Sequence, residues 1–297
     1  MKKLQQRAEI IAAVRRFFAI NGYLEVETPI RIPAPAPEAH IDGFQSEGWY
    51  LQASPEICMK RLVASGHEKI FQICKCFRKD EIGERHLTEM TLLEWYTAND
   101  SYTELMDQCC DLIRFVAREI GAGQTITCNG HTVDLALPWE KISVTELFER
   151  HSAVSMDQAL CDEEFDEIMA FDIEPCLGTE QPCFVFDYPA SMAALAKLKP
   201  LDNTLAQRVE LYIAGIELAN GFSELTDPAE QKERFEKEMA VRTRAGKAPM
   251  PMPEPFLRDL AAMPETSGIA LGMDRLVMLF TNARSIDRVV AFTDTEL

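Results

Sequence analysis

Apolar and polar positions alternate with two different periods along this chain. Over residues 4–20, Ile10, Val14 and Phe17, together with Ile11 and Phe18, recur at helical spacing. The spacing predicts an amphipathic helix ended by Asn21-Gly22. Residues 23–29 read as a strand closed by Pro29, and Pro33, Pro35 and Pro37 then predict a short extended loop. Further strands are expected at 50–54, 70–78, 89–97, 183–188 and 268–271. Helices are expected at 55–65, 102–119, 143–150, 162–171, 228–244 and 272–281. Residues 208–222 are strand-rich around Ala214-Gly215, a hairpin-turn candidate. Residues 79–88 form a polar loop, and residues 246–255 are proline-rich and loop-like. Strands and helices do not follow regular βαβ spacing. The pattern therefore predicts an α+β fold, a largely antiparallel sheet flanked by helices, in one domain over 1–297.

Composition narrows the class. The 297 residues are 47% apolar and 26% charged, an ordinary globular balance. No apolar run reaches membrane-spanning length and no signal peptide is evident, so a cytoplasmic protein without a membrane partner is expected. The nine cysteines lack zinc spacing, which favours reduced, buried thiols over a metal site. A formal charge of −18 makes the chain a poor partner for a long polyanion.

Three segments carry candidate chemistry. In the first, a strand ends at Arg78, a charged loop holding Asp80, Glu81, Arg85 and His86 follows, and a second strand returns. On that strand Met90, Leu92, Glu94 and Tyr96 share one face, and Thr91, Leu93 and Trp95 the other. In the second, a turn at Ala214-Gly215 would set Tyr212 opposite Glu217 with Glu210 diagonal to it. Two such carboxylates are either a pair exposed on an edge strand or a pair separated by a cation such as Mg²⁺. Asn220 would need a bulge at Asn220-Gly221 to join their face. In the third, glycines at 268 and 272 line a strand running into a helix, with Arg275 in its first turn, an arrangement that suits phosphate.

Taken together and in this order, the segments resemble the three motifs of class II aminoacyl-tRNA synthetases. The opening helix and the strand ending at Pro29 look like motif 1, Phe77-Arg78 with Asp80, Arg85 and His86 like motif 2, and residues 268–275 like motif 3. Ser54-Pro55-Glu56, Met59-Lys60-Arg61-Leu62, Glu94-Trp95-Tyr96 and residues 215–225 are similar to the lysine-specific subgroup, and the resemblance runs from about residue 4 to 292.

The resemblance implies adenylate formation from ATP with Mg²⁺. Arg78 would hold the α-phosphate and the substrate carboxylate, Arg275 and His86 the distal phosphates, Glu210 and Glu217 the metal, and Asp80 the adenine end. Glu56 would take the ammonium nearer the carboxylate, Glu94, Tyr96 and Glu224 the ε-ammonium, and Asn220 would orient the carboxylate. Two positions depart from the family pattern: Asp80 stands where glutamate is usual, and Met90 where an aromatic stacks on adenine.

Motif 1 starts at the N-terminus, so no anticodon-binding domain and no tRNA partner are expected. Residues 93–96, residues 188–191 and Ala270, at a position that is glycine in lysyl-tRNA synthetases, resemble the core-only branch of the family. That branch implies a homodimer that activates (R)-β-lysine and passes it to a lysine side chain of translation elongation factor P. A lysine-activating enzyme using α-lysine and a catalytically silent regulatory relative are the rival expectations.

Overall fold

The computed structural model describes residues 2–293 and 296–297. Along the chain the principal elements are α1 (Lys2–Ile20), β1 (Leu24–Glu25), α2 (Glu56–Ala64), β2 (Lys69–Phe77), β3 (Glu89–Ala98), α3 (Tyr102–Glu119), β4 (Glu140–Ser143), β5 (Cys183–Pro189), β6 (Leu198–Lys199), β7 (Asp202–Ile213), β8 (Ile216–Ser223), α4 (Pro228–Arg244), β9 (Thr266–Gly272) and α5 (Met273–Thr281). Among the described residues, the β strands so labelled form one nine-stranded sheet in the order β1-β2-β3-β9-β8-β7-β5-β4, with β6 on β7. Only the edge pairs β1/β2 and β5/β4 are parallel. The architecture is the expected α+β one.

Local chemistry accounts for the long elements. Ser101 caps α3 and Glu104 returns a bond to the Ser101 backbone, closing a capping box. Leu105, Cys109, Leu112, Ile113 and Val116 then fall on one buried stripe of α3. On the sheet, strict alternation sends Leu93, Trp95, Ile269 and Leu271 to the face covered by α1, α3 and α5. Phe18 stacks on Phe71 with ring centroids 4.6 Å apart and fixes α1 against β2. The opposite face of the same strands carries the polar residues, so the core and the site share one sheet.

An ion pair locks α1 to the strand-to-helix junction. Arg7 Nη1 donates to Asp274 Oδ1 at 2.6 Å, Arg7 Nη2 donates to Thr91 Oγ1 at 3.0 Å, and the Thr91 amide donates to Asp274 Oδ2 at 2.8 Å. Arg7→Leu strands the buried Asp274 carboxylate without its cation. The expected cost is about 3 kcal/mol, read as a lower urea midpoint at unchanged m-value.

Several expected boundaries shift. The strand expected over residues 23–29 pairs only at Leu24–Glu25. The loop expected over residues 246–255 ends inside a helix, Glu254–Leu260, because proline is accepted in a helix's first turn. The segment expected as a helix over residues 162–171 is a short α-turn, Phe165–Ile168, running into a wider π-turn, Met169–Ile173. The small hairpin Thr125–Cys128/His131–Asp134 and strand β4 carried no signal strong enough to predict. All nine cysteines are free thiols, but only Cys76, Cys109, Cys128 and Cys183 are buried, fewer than expected, and Cys161 and Cys176 are exposed.

Candidate active site

The hairpin of β7 and β8 places the acidic residues. Ala214 (φ 55°) and Gly215 (φ 69°) both occupy left-handed backbone, the geometry that a two-residue turn between twisted strands needs. Tyr212 pairs with Glu217, as the turn predicted, and Leu211 pairs with Ala219. Leu218 is thus an extra residue, a bulge lying before Asn220 rather than at Asn220-Gly221 as expected. This bulge re-phases β8, so Glu217 and Asn220 both face the cleft.

From there the register crosses the sheet. Asn220 pairs with Ala270, Ala270 with Glu94, Phe222 with Gly268 and Gly268 with Tyr96. Residues far apart in sequence thereby line one cleft of about 380 Å³. Arg78, His86, Met90, Glu217 and Arg275 stand on its wall, as do Glu56, Glu94, Tyr96, Asn220, Glu224 and Ala270.

Two candidate residues lie elsewhere. Asp80 is exposed, and its left-handed backbone (φ 66°) turns it away from the cleft. The neighbouring Glu81 lines the wall instead, 3.6 Å from Arg78 Nη1. Glu210 is buried in an interior strand, not exposed on an edge. Tyr188 and Tyr212 both donate to its Oε2, at 2.5 and 2.7 Å, and Arg208 ion-pairs with its Oε1.

The cleft is cationic at one end and anionic at the other. At the cationic end Arg275 Nη1 donates to Glu217 O at 2.8 Å and to Glu217 Oε2 at 3.1 Å. Its Nε donates to Arg85 O at 3.3 Å, and its Nη2 lies 2.7 Å from His86 Nε2. Burial and then the Arg275 charge lower the His86 pKa, which favours the neutral ring that accepts from Arg275.

At the anionic end Ser54 Oγ donates to Glu94 Oε1 at 2.6 Å and Tyr96 OH to Glu94 Oε2 at 3.1 Å. Burial, then the Glu56 carboxylate, push Glu94 up to about 7. Burial pushes Glu224 up to about 8, although Lys60 opposes the rise. Glu38 is pushed up to about 7 by burial and then by Glu56.

Metal capacity is modest. Among the described residues no group of three or more His, Cys, Asp or Glu side chains is placed to hold an ion. Glu210 and Glu217 nonetheless act on a shared neighbour: burial, then the charges of these two, raise Glu174 to about 7. Of the two, Glu217 on the cleft wall is the hard oxygen donor that fits Mg²⁺, which takes one or two carboxylates and completes its shell with water and phosphate, whereas the Glu210 oxygens are already engaged by Tyr188, Tyr212 and Arg208.

Three residues at the site, Glu38 and Glu81 on the wall and Lys60 behind it, were given no role by the sequence reading. Lys60 stands at i+4 from Glu56, a helix-pair signal present in the sequence. Glu81 adjoins a candidate. Glu38 comes from the proline-rich loop, where no periodicity points anywhere.

A sheet that carries the three motifs, with a cleft that is arginine-rich at one end and acidic at the other, is the architecture of a class II synthetase core, and the comparisons agree on that family. Residues 1–296 match the sequence profile of the tRNA synthetases class II (D, K and N), and the chain belongs to that family. It is similar to the elongation factor P--(R)-beta-lysine ligase of Vibrio parahaemolyticus, 40% identical with 98% of this chain and 95% of the relative covered. The ligases of the same name from Erwinia tasmaniensis and Edwardsiella ictaluri are each 39% identical, with 98% of this chain and 94% of each relative covered.

Proposed function

We propose that this chain is an ATP-dependent ligase that activates (R)-β-lysine as an adenylate and transfers it to a lysine side chain of translation elongation factor P. The observation that carries the reading is the convergence of Glu56, Glu94 and Glu224 at one end of a cleft whose other end holds Arg78, His86 and Arg275. The relatives named above supply the acceptor and the β-isomer. The proposal includes a single catalytic domain acting in the cytoplasm as a homodimer. Among the described residues no helix is long and apolar enough to cross a membrane.

The geometry supports the following roles. Arg78 holds the α-phosphate and the substrate carboxylate, so that a carboxylate oxygen attacks phosphorus in line and pyrophosphate leaves. Planar guanidinium groups meet the charge that develops on phosphate better than an acid–base group does. Arg275 and His86 hold the departing phosphates. Asn220 accepts from Arg208 through Oδ1 at 3.2 Å, which leaves its amide N–H groups to donate to the substrate carboxylate. Met90 packs on the adenine, and Glu81, with Asp80 behind it, closes that end of the wall. Mg²⁺ would meet Glu217 on the cleft wall, would reach Glu210 only if that carboxylate gave up its bonds to Tyr188, Tyr212 and Arg208, and would neutralise phosphate charge. Glu56, Glu94, Tyr96 and Glu224 receive the two ammonium groups.

The reading fixes a pH response. Glu94 and Glu224 lie near 7 and 8, above the ordinary carboxylate range, so they gain charge as pH rises through that window. Attraction for an ammonium follows that charge. Apparent affinity for (R)-β-lysine is expected to rise between about pH 6 and 8, with ATP affinity changing less. A lysine KM that is flat across this window speaks against the assigned pocket.

Isomer preference is placed on one methyl group. Ala270 sits in register between Asn220 and Glu94, where its side chain limits room beside the substrate backbone. Ala270→Gly is expected to lower the (R)-β-lysine/α-lysine ratio of kcat/KM by about tenfold. An unchanged ratio removes Ala270 from that role.

The direct test is the intact mass of elongation factor P after incubation with this protein, ATP, Mg²⁺ and (R)-β-lysine, with α-lysine and bulk-tRNA arms in parallel. A gain of one lysyl unit, larger with the β isomer, supports the proposal. Charging in the tRNA arm alone, or no product in any arm, overturns it.

A further inference from the structure

Behind the anionic wall of the cleft lies a buried ammonium group. Lys60 lies one helical turn after Glu56 on α2, and its side chain is 0% exposed. Its Nζ pairs with Glu56 Oε1 and, at 2.5 Å, with Glu224 Oε2 from just past β8. Glu224 Oε1 is buried and has no hydrogen-bond partner. Glu94 and Tyr96 from β3, Glu38 from the proline-rich loop and Arg78 from the end of β2 complete the charged and titratable surroundings. A buried ion triad of this kind is poor currency for stability, because desolvating three charges offsets most of their attraction. Its place directly behind the acidic wall calls for another reason.

Charge matching supplies it. When ionised, Glu56, Glu94 and Glu224 carry three negative charges, which Lys60 reduces to two, while Glu38 and Arg78 beside them offset one another. A β-lysine or α-lysine substrate brings two ammonium groups. We propose that Lys60 is a positioning residue that holds Glu56 and Glu224 at a fixed separation and sets the pocket's charge to that of a diammonium substrate. The inference rests on the ligase reading above and deepens it. Without Lys60 the pocket holds one carboxylate too many, and that excess is relieved by a proton, on Glu224 first. Burial by itself would lower the Lys60 pKa, but Glu224 and Glu56 outweigh it and raise it, so the ammonium stays charged throughout the working range.

The test is a charge cycle in the full chain, read by lysine-dependent ATP–pyrophosphate exchange as a function of pH. Lys60→Met removes the charge and keeps an unbranched side chain one atom shorter. Removing the cation raises the carboxylates further, so the acidic limb of kcat/KM moves to higher pH, by about one unit. KM for (R)-β-lysine rises about tenfold or more, while KM for ATP stays near its wild-type value. A purely structural role would move both KM values together and leave the limb in place.

The double variant Lys60→Met/Glu224→Gln restores two negative charges, on Glu56 and Glu94, whereas Glu224→Gln alone leaves one. The double variant is therefore expected to bind (R)-β-lysine more tightly than either single variant. If Lys60→Met does not fold, the comparison of the double variant with Glu224→Gln still decides. An unmoved limb with unchanged lysine KM in Lys60→Met, or a double variant no better than Glu224→Gln, overturns the inference. Absence of exchange in the wild-type protein with either lysine isomer overturns the ligase reading instead.

Discussion

Arg275→Ala is expected to lower lysine-dependent ATP–pyrophosphate exchange by about three orders of magnitude without unfolding the protein. The guanidinium stands in the first turn of α5, where the helix start already favours phosphate. Four polar groups hold it there: the Glu217 carbonyl and carboxylate, the Arg85 carbonyl and His86. None of these links anchors the helix, since neighbouring Asp274 does that through Arg7 and the Thr91 amide. The loss therefore falls on chemistry and leaves the thermal midpoint close to wild type.

Arg275→Lys should recover only a small part of the loss, because a point charge cannot meet two phosphate oxygens and keep the Glu217 bonds as well. Glu217→Gln should lower exchange too, since it loosens Arg275 and removes one proposed Mg²⁺ ligand. Exchange within about tenfold of wild type in Arg275→Ala would withdraw that residue from phosphate binding and leave Arg78 to act alone.

How much of this site could be read from the sequence depended on the range of the interactions involved. Helices α1, α3 and α4 were legible because periodicity and end signals are local. Alternation on β3 also held, with Glu94 and Tyr96 toward the cleft and Leu93 and Trp95 in the core. The turn at Ala214-Gly215 was found, yet the bulge beside it was placed wrongly. Nothing in the residues around 218 distinguishes a bulge there from one at 220, because the choice is made by pairing with β7 on one side and β9 on the other.

Short edge strands such as Leu24–Glu25 exist only because β2 offers them partners, so they leave no pattern of their own. The orientation of Asp80 against Glu81 depends on one left-handed residue in a polar loop, which composition does not specify. The burial of Lys60 between two carboxylates is long-range in the same way: the Glu56 spacing was visible, and Glu224, far along the chain, was not a visible partner for it. Order and spacing of motifs thus pointed to most of the cleft wall, though not to the placing of Asp80 and Glu210 off it, while the register of the sheet determined which residue faces which.

Gly268→Ala should produce the second large effect, and it separates packing from charge at the acidic end. A methyl group built on Gly268 would lie 2.2 Å from Tyr96 Cε1 and 2.3 Å from Glu224 Oε1. Neither neighbour can easily retreat. Tyr96 is buried and donates to Glu94, and Glu224 is held by Lys60. The substitution must displace the ring, the carboxylate or the strand, at an expected cost of about 2 kcal/mol in stability. It should also raise KM for (R)-β-lysine by about a hundredfold, because both displaced groups belong to the ammonium pocket. The phosphate end lies at the far end of the same strand, where Arg275 follows Gly272, so KM for ATP should move far less.

Position 272 on the same strand provides the comparison. A methyl group there meets only Arg275 carbons at 3.5 to 3.6 Å, ordinary contact distances, so Gly272→Ala should cost much less in stability and in lysine KM. Equal losses at the two positions would mean that the strand tolerates no side chain for general reasons. A wild-type lysine KM in Gly268→Ala would mean that Tyr96 and Glu224 do not hold the substrate. The expected gradient, severe at 268 and mild at 272, follows only if the ammonium pocket is the tightly packed end of the cleft and the phosphate end is the open one.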